Sequence, residues 1–585
     1  MQRGNPATRQ SGDTRIRFAG IRGVAGFRWA LAITGFALGV ATPTLAPAQQ
    51  VAPSRVTPET LQPQAPSTPQ ITLPAAAGLT PPANADKLFV RVGRVDVTGT
   101  FPGFEDKTAA LLSPLNGSRV TVAHLYDVAN DLEHAYAQAG YFLARIVIPP
   151  QGLSDGGTLH LTVIDGVIEK IDANSVPERQ RPLVEARLAP IIGLHHVTLD
   201  DIERRLLIVS DLPGLQVRST LSPGSNTGGT LLVLQGSQTY ASGTLGFDNH
   251  LPESLGTWAL NASVALNNVL GWGEQSYLSI ASSPDLGPAR LRVLGGGFAL
   301  PLGTDGLTIN PEYTKSLARP IPVAGSPATQ GDFERFAVRA NYPVIRSRDE
   351  NLSLQGSLEW NNEQLRPIGF SARFYDDEYA VGRLRAVYTT SLDPETPVQV
   401  TGTLSRGLGG RNATDELPLS RQGAGPSFTS AQLVASLQHP LPASLFLSIT
   451  GRAQTSFNNP LMLAEQFALD GGSALSAFAD GSFSVDQGAT LRIEISRPLS
   501  LPVGDRAIGL SPYVFGAGGW GELVTPTAVE QRDIGAGAVG IGVRTDASVP
   551  GWAGGTLVFE FAHKFSDVRT IPDGYRANLS VNLRF

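Results

Sequence analysis

Two short stretches of the sequence have the residue types and spacing of enzyme motifs. GLSDG at 152–156 matches G-x-S-x-G, in which a serine on a sharp strand-to-helix turn acts as a nucleophile. GAGAVG at 535–540 matches G-x-G-x-x-G, in which glycines let the backbone approach a pyrophosphate at the start of a helix. Neither motif is followed by a helical pattern in the sequence. The first lies in a turn between two strand patterns, and the second lies within the alternating run GAGAVGIGVRT. We therefore predict a turn and a strand at these places.

Metal and thiol chemistry are also not indicated. His195 and His196 are adjacent and cannot both point at one metal from a helix or strand, and no carboxylate at ligand spacing accompanies them. We expect them in a loop or cap position. The chain has no cysteine, which excludes a thiolate metal site, a cysteine nucleophile and disulfides, and which suits an oxidising compartment. The sequence thus predicts no catalytic residue, metal or cofactor, and we expect that the protein is not an enzyme.

The composition of the chain is unusual for a soluble enzyme. Of 585 residues only 16% are charged, against roughly 25% in typical soluble domains, and 64 are glycine. The formal net charge is only −6, and no long block of Lys and Arg occurs, so nucleic-acid binding is not predicted. After the first 50 residues no run of about 20 apolar residues occurs, so membrane-spanning helices are not predicted either.

The first 86 residues carry targeting and linker signals. Arg15, Arg17, Arg22 and Arg28 precede the apolar run WALAITGFALGV at 29–40, and Ala46 and Ala48 fit an A-x-A cleavage site. This pattern predicts an export signal over residues 1–48. A membrane-anchoring helix is the alternative, which the shortness of the apolar run disfavours. Residues 49–86 are rich in proline, which forbids a stable helix, so we expect an extended and mobile linker.

Two tandem α/β modules are predicted after the linker, over 87–173 and 174–236. In the first, FVRVGRVDVTG is a strand pattern, Thr121 caps a helix that Gly140 ends, and YFLARIVIPP and TLHLTVIDG are two further strand patterns. In the second, Thr198 precedes the amphipathic segment LDDIERRLLIVSD, and two strands follow. The repeat indicates two modules of one kind.

The run 135–171 resembles the POTRA domain of two-partner secretion transporters, the haemolysin secretion and activation type of outer-membrane exporter. In that family a helix ends in Gly-Tyr, a strand leads to Pro-x-Gln or a close variant, and a second strand ends in an acidic residue and glycine. The resemblance implies two periplasmic POTRA domains in front of an outer-membrane barrel. The matching positions here are Gly140, Tyr141, Pro149, Pro150, Gln151, Asp165 and Gly166.

Residues 237–585 have the pattern of a transmembrane β-barrel. Apolar and polar side chains alternate, as in LSLQGSLEW and TLRIEIS, in segments of about ten residues separated by loops rich in Gly, Pro, Asn and Asp. A soluble sandwich would complete its pattern within about 100 residues per domain. A first count gives seventeen strands, but bacterial barrels have an even number, so the short segment LAEQFALD at 463–470 is better placed in a long loop. We predict a mainly β protein with α+β modules and a barrel of about sixteen antiparallel strands.

The final segment, YRANLSVNLRF, is predicted to close the barrel. A terminal aromatic, Phe585 here, also resembles the C-terminal signal that barrel-assembly machinery reads. In the alternating pattern one face would contact lipid and the other the lumen. The lipid-facing row is Tyr575, Ala577, Leu579, Val581, Leu583 and Phe585, and the lumen-facing row is Arg576, Asn578, Ser580, Asn582 and Arg584.

The polar faces of other strands carry charges that need water or mutual partners when they are shielded from lipid. A hydrated, partly basic channel and a network of lumen ion pairs both fit this pattern, and the two are compatible. The charges are Arg335, Arg339, Arg383, Arg385, Arg452, Arg492 and Glu494.

Residues 461–499 resemble the lumen loop and following strand of the same transporters. That loop typically has Gly-Gly, then Val-Arg-Gly-Tyr/Phe, then Asp and Gly before a strand that carries Arg or Glu. In the family, the arginine folds into the barrel and pairs with an aspartate in a Phe-x-Asp-x-Gly pattern on the next strand. The positions that fit are Gly471, Gly472, Phe478, Asp486, Gly488, Glu494 and Pro498, together with Phe515 and Gly519 of the next strand.

Both members of that ion pair are missing here. Aligning Phe478 with the motif aromatic places Ser476 at the arginine position and Ala477 at the glycine position, while Ala517 occupies the aspartate position. Losing both avoids an uncompensated charge in a confined site. We expect the loop to be held by packing of Phe478 and by neutral hydrogen bonds from Ser476.

The resemblance implies a transporter that exports a large unfolded partner, an adhesin or haemolysin with an N-terminal secretion domain. The POTRA domains would capture the partner by strand addition, and the barrel would conduct it, with energy from folding outside and no cofactor. Other partners are outer-membrane lipid and, during biogenesis, the barrel-assembly machinery. The alternative is a POTRA-barrel assembly factor, a class that usually has more than two POTRA repeats, and a passive porin or receptor is a third reading. Family members often carry an N-terminal plug helix, for which only residues 59–62 are suitable here.

Overall fold

The computed structural model describes residues 52–61, 70–71, 79–285, 287–472, 474–503, 506–549 and 553–585. The predicted export signal over residues 1–48 lies outside these ranges. Within them, none of the helices has the length and apolar character needed to cross a membrane.

The first module is a four-stranded sheet packed against two helices. Strand order is β3-β2-β5-β4, with β2 and β5 parallel. Thr121 caps α2 as predicted, accepting a hydrogen bond from the His124 backbone N–H at 3.2 Å. The apolar face of α2, with Leu125, Leu132 and Tyr136 fully buried, packs on the sheet. The elements, with the linker strand that precedes them, are β1 (Gln70–Ile71), β2 (Phe89–Thr98), α1 (Glu105–Leu112), β3 (Arg119–Thr121), α2 (Val122–Gln138), β4 (Arg145–Val147) and β5 (Gly157–Ile164).

The second module repeats this plan with the sheet order β1-β7-β8-β6. Thr198, which precedes the predicted amphipathic segment, caps α4 and forms a capping box with Asp201 as its reciprocal partner. The edge of β7 is covered by β1, two linker residues that pair with it in parallel. The elements are β6 (Val167–Ser175), α3 (Arg181–Leu188), α4 (Leu199–Ser210), β7 (Leu215–Pro223) and β8 (Gly229–Gln238).

The predicted boundary between the modules at 173/174 is wrong. It falls inside β6, which pairs with β8 of the second sheet, so the second module begins at Val167. The alternation of TLHLTVIDGVIEKI runs on through the boundary, so periodicity alone does not mark it. Gly166 does mark it, because the chain passes from one sheet to the other there and a Cβ at this position would collide with the Leu143 carbonyl.

The rest of the chain forms a closed antiparallel barrel of sixteen strands, as predicted. β22 and β23 both pair with β24 and together fill one position in the wall. LAEQFALD lies outside the wall, in the loop between β19 and β22, as the even strand count requires. The elements are β9 (Ala241–Asp248), β10 (Ala259–Asn267), β11 (Gln275–Ser282), β12 (Leu291–Leu302), β13 (Leu307–Ala318), β14 (Thr329–Arg346), β15 (Glu350–Pro367), β16 (Tyr375–Ser391), β17 (Pro397–Gly410), β18 (Thr429–Leu441), β19 (Leu445–Thr455), β20 (Phe467–Ala468), β21 (Ser484–Val485), β22 (Gln487–Ser496), β23 (Leu499–Val503), β24 (Arg506–Glu522), β25 (Asp533–Val549), β26 (Ala553–Ser566) and β27 (Gly574–Arg584).

The closing seam joins β27 to β9. Five residue pairs connect the two strands, and Phe585 extends the pairing by exchanging backbone hydrogen bonds with Gly243, at 2.8 and 3.1 Å. The Phe585 ring lies against Gly243, where a Cβ would meet it at 2.5 Å. On β27 the outward-facing Tyr575 and Leu583 are exposed, whereas the inward-facing Asn578 is buried.

Candidate functional site: the occupied lumen

Inward-facing arginines of β14 share one glutamate of β13. Arg335 and Arg339 lie 3.5 and 3.2 Å from the Glu312 carboxylate, which also accepts a 2.8 Å hydrogen bond from the Tyr277 hydroxyl. All four side chains are buried. In the register of β13 and β14, Glu312 stands between the two arginines and offsets one of their two positive charges, so this part of the lumen wall keeps an excess of positive charge.

A second group of charges joins the wall to the long loop. Arg383 on β16 contacts Glu359 on β15 at 3.1 Å and makes a bidentate pair with Glu465, at 2.9 Å for each bond. Glu465 belongs to the loop between β19 and β22, and the Tyr379 hydroxyl donates to it at 3.0 Å. The loop is thereby held against the wall by a planar two-point contact.

Residues 52–61 lie inside the barrel, which overturns the prediction of a free linker for this part of 49–86. A short 3-10 helix spans Pro53–Val56, whereas 59–62 was the only part of this stretch that we predicted to be suitable for a helix. The Ser54 hydroxyl donates to both oxygens of the fully buried Glu363, at 2.8 Å. We call residues 52–61 the lumen segment.

The rest of the lumen segment is held largely through its backbone. Arg335 donates to the Pro58 carbonyl at 2.8 Å and Arg339 donates to the Glu59 carbonyl at 3.1 Å. The Leu61 N–H donates to Glu312 at 3.2 Å. A proline-rich strand cannot satisfy its own backbone groups, and the charged wall supplies the partners that it lacks. Proline content predicted the absence of a long helix but not this location.

The loop between β19 and β22 folds inward and is organised by two buried aspartates. Asp470 accepts from the backbone of Gly481 and Phe483, at 3.1 and 2.7 Å. Asp486, predicted as a loop residue, accepts from the backbone of Leu461 and Val524, at 2.9 and 2.8 Å. Asp486 thus joins the two ends of the loop to each other and to the segment directly after β24, and Asp470 holds the middle of the loop together.

Aromatic packing and glycine turns complete the loop. Phe478 is buried and meets Phe483 edge-on, with ring centroids 4.8 Å apart. Gly471 has a φ of +106°, which favours glycine, while a Cβ at Gly472 would meet open space. Gly488 must be glycine for another reason, since a Cβ there would collide with the Trp520 carbonyl.

Ser476 forms the tip of the loop and contacts three strands of the wall. Its hydroxyl donates to Glu560 on β26 and accepts from Arg492 on β22 at 2.7 Å. Its carbonyl accepts from Asn578 on β27 at 2.6 Å. The cation that the resemblance places on the loop is therefore on the wall here, at Arg492.

Arg492 has the environment of a fixed buried cation. It lies 2.7 Å from Glu560 and 3.4 Å from Glu494, and its guanidinium stacks 3.8 Å from the centre of the Phe515 ring. Its cross-strand neighbour on β24 is Ala517, which is small enough to let the side chain extend along the wall. Glu494 is itself bound by Arg544 at 2.6 and 2.8 Å.

The remaining predicted lumen residues border a cavity of about 270 Å³ between the wall, the loop and the lumen segment. Arg452 stacks on the Phe467 ring of the loop at 5.1 Å. Arg385 lines the cavity, and its Nε has no hydrogen-bond partner among the described residues. Gly519 lies under the loop, because a Cβ there would meet Leu475 at 3.3 Å.

Sequence reasoning missed the acidic half of this site: Glu312, Glu359, Glu363, Glu465 and Glu560. Most of these residues stand on the polar faces of alternating strands, as in TLVFEF, where Glu560 is the single charge. A glutamate on the polar face of a predicted strand is therefore the feature of the sequence that could have identified these residues. The pairing itself depends on register between strands that are distant in sequence, which alternation does not specify.

The predicted POTRA residues build turns and the junction between modules. Gln151 makes two 2.8 Å hydrogen bonds to the His160 backbone, across the turn that contains GLSDG, while Pro150 is exposed beside it. Tyr141 meets Phe101 edge-on at 5.1 Å. Gly140 has a φ of +95°, and its carbonyl accepts from Leu199 of the second module at 2.9 Å.

The two histidines lie in a turn, as predicted, but a carboxylate does accompany them. Asp165 accepts from the His196 backbone N–H at 3.0 Å, and its carboxylate lies 2.8 Å from His195 Nδ1. The cluster fastens the second module to the end of β5. In the part of the chain that the structure describes, no three metal-ligating side chains converge on one point. GAGAVG lies within β25, as predicted.

The profile of the family described as Haemolysin secretion/activation protein ShlB/FhaC/HecB matches residues 228–545, more than half of the chain. The chain belongs to this family. A second profile, POTRA domain, ShlB-type, matches residues 90–166 and ends directly before β6. The two profiles together match a POTRA module and most of the barrel, the two kinds of domain that make up a two-partner secretion transporter.

Individual relatives agree with this assignment. The chain is 25% identical over 427 residues to the outer membrane transporter CdiB of Escherichia coli, covering 70% of each protein. It is 26% identical over 180 residues to the heme/hemopexin transporter protein HuxB of Haemophilus influenzae, covering 30% of this chain and 32% of that one. The transporter is a bacterial outer-membrane protein whose POTRA modules lie in the periplasm.

Solved structures share the fold. CdiB from Escherichia coli superposes with a TM-score of 0.66 at 22% identity, covering 92% of this chain and 94% of that one. CdiB from Acinetobacter baumannii superposes with a TM-score of 0.60 at 17% identity, covering 87% and 95%. At these identities the likeness concerns architecture alone.

Proposed function

We propose that this transporter exports a large, unfolded partner protein of the adhesin or haemolysin type, with an N-terminal secretion domain, by two-partner secretion. The observation that carries the proposal is that the lumen already holds an extended polypeptide, the lumen segment. Arg335 and Arg339 bind it through the carbonyls of Pro58 and Glu59. Every polypeptide has such carbonyls, so a wall of this kind suits a passing chain of any sequence.

Partner recognition begins at the sheet edges of the POTRA modules. In the first module, β4 stands at an edge of the sheet and offers backbone groups for strand addition. In the second, the edge of β7 already accepts β1 as a parallel strand, with Gln70 opposite Arg218 and Ile71 opposite Ser219. An unfolded partner in the periplasm supplies the same kind of extended backbone.

Conduction requires the lumen segment to leave the barrel and the loop to give way. Both are held by hydrogen bonds and ion pairs that a second polypeptide can replace one by one. Transport takes its energy from folding of the partner outside the cell, without nucleotide or cofactor. Outer-membrane lipid surrounds the barrel, and the barrel-assembly machinery inserts it.

Deletion of this gene tests the proposal when the proteins released to the medium are compared with those of the parent strain. We expect one large secreted protein to disappear while other outer-membrane barrels keep their normal amounts. Deletion of a candidate partner gene beside the locus should remove the same protein. An unchanged set of released proteins with depleted barrels would instead support the alternative function, assembly of other barrels.

A further inference from the structure

A cavity of about 440 Å³ lies where the second module meets the periplasmic mouth of the barrel. Its module side is formed by the end of α4 and the residues after it. Its barrel side is formed by inward-facing residues at the periplasmic ends of neighbouring strands from β11 to β16. The lining is mainly apolar and includes Ile208, Leu212, Ala299, Pro301, Pro343 and Val387. We call this cavity the vestibule.

One buried cation lines the vestibule without a partner. Arg187 on α3 is only 4% exposed, and neither its Nε nor its Nη1 has a hydrogen-bond partner in the described residues. Asp211, the carboxylate whose charge acts on Arg187, forms its hydrogen bonds with Arg346 instead, at 2.7 and 2.9 Å. Burial lowers the pKa of Arg187 to about 10, which still leaves it charged at neutral pH. A buried cation that lacks a hydrogen-bonded anion is costly, which points to an anion that binds there.

The chain's own linker does not supply that anion. Neither 62–69, between the lumen segment and β1, nor 72–78, which follows β1 in sequence, contains Asp or Glu. An exported chain that travels from the second module into the lumen passes the vestibule, and its acidic side chains are the available carboxylates. The apolar lining favours aliphatic residues beside the acidic one.

We infer that the vestibule is an entry site of the transporter that binds an extended segment of the exported partner, an acidic residue flanked by aliphatic residues, with Arg187 pairing its carboxylate. This inference rests on the proposed function. The site orders the incoming chain at the mouth of the barrel, before it meets the lumen arginines. A guanidinium suits this task because its hydrogen bonds to a carboxylate are charge-assisted and therefore stronger than bonds between neutral groups.

The test uses the full-length transporter in detergent and fluorescent peptides. The probe is an acetylated, amidated peptide of sequence Val-Leu-Glu-Val-Leu, and its matched control has Gln in place of Glu. We expect Arg187→Met to weaken binding of the Glu peptide by roughly thirtyfold or more, the loss expected when one partner of a buried charge pair is removed, and to leave the Gln peptide unaffected. Arg179→Gln, which removes an exposed arginine of the same module, should change neither affinity.

A stability measurement separates binding from a structural role. If Arg187 serves a ligand, Arg187→Met removes an uncompensated buried charge and leaves thermal stability of the modules unchanged or higher. A lower stability, equal affinity for the two peptides, or no binding of either peptide by the wild type would overturn the inference. Saturable binding of laurate at Arg187 without binding of the Glu peptide would also overturn it, since the occupant would then be a lipid. Because these measurements need no export, the inference and the proposed function can fail separately.

Discussion

Arg492 on β22 and Glu560 on β26 form an ion pair of 2.7 Å across the two strands that separate them, and Ser476 of the loop is bonded to both. The crossing is possible because the inward residues level with Arg492 on β24 and β25 are small. Ala517 lies directly beside Arg492, and Ala538 lies beside Ala517. Ala517, at the position where the resemblance implies an aspartate, and Arg492, a cation on the wall where the resemblance implies one on the loop, thus belong to one arrangement.

Removal of Arg492 is expected to release the loop tip. Arg492→Ala leaves Glu560 buried with only Ser476 and the Tyr513 hydroxyl as partners, at a local cost of about 3–5 kcal/mol. We expect the loop to become sensitive to added protease and export to fall at least tenfold. Arg497→Ala, on an exposed arginine just beyond β22, should leave both unchanged. Equal protease resistance in the two variants would mean that the ion pair does not hold the loop.

Exchanging the residues at positions 476 and 492 tests whether the site around Glu560 needs one cation at either position or an arginine specifically at position 492. Ser476→Arg alone places a second guanidinium beside Arg492 in a buried site, and should lower export as strongly as Arg492→Ser alone. The double variant Ser476→Arg/Arg492→Ser again has one cation facing Glu560, now carried by the loop. We expect it to recover most of the export lost in either single variant. Additive losses in the double variant would show that the wall position itself is essential.

Phe585 is expected to matter for barrel assembly more than its exposure suggests. Phe585→Ser removes the ring that covers Gly243 at the seam and the terminal aromatic that we predict as an assembly signal. The amount of folded barrel in outer-membrane fractions, measured by heat-modifiable migration in gels, should fall several-fold. Tyr575→Ser provides the control, because Tyr575 is also an outward-facing aromatic of β27 and is more exposed, at 71% against 60%. Equal amounts of the two variants would contradict the special role of the terminus.

The architecture could be predicted from the sequence because its signals are local. Thr121 and Thr198 cap helices whose apolar faces follow a helical period, and both caps are present. In the barrel, a period of two over sixteen segments separates the lipid face from the lumen face without any knowledge of neighbours. The same reasoning placed the boundary between the two modules wrongly, inside β6. The last strand of one sheet and the first strand of the next have the same alternation of apolar and polar residues, so alternation does not separate them.

The site could be predicted only in part because its contacts are not local. Arg383 was placed correctly in the lumen by the face of its strand, yet its partner Glu465 lies 82 residues away in a loop. Likewise, the lumen segment is bound to residues that follow it by more than 200 positions. Composition predicts that a proline-rich stretch is extended, but whether it is solvated or enclosed depends on the unsatisfied charges that the rest of the fold presents.

Export by the proposed route requires the partner chain to travel through the lumen that residues 52–61 now occupy. Leu61 lies over Gly295, with its Cγ 3.3 Å from the position of a Cβ there, close to the spacing between sulfur and opposite Cβ in a disulfide. Because the chain has no native cysteine, Leu61→Cys/Gly295→Cys introduces a single possible crosslink, and each single variant is its control.

The decisive measurement is the release of the partner protein by the double variant under oxidising and reducing conditions. We predict that oxidation stops release and that a reductant restores it, while both single variants export normally under either condition. Undiminished export by a transporter whose crosslink has formed in full would contradict the account, because the chain would then have to leave by another route.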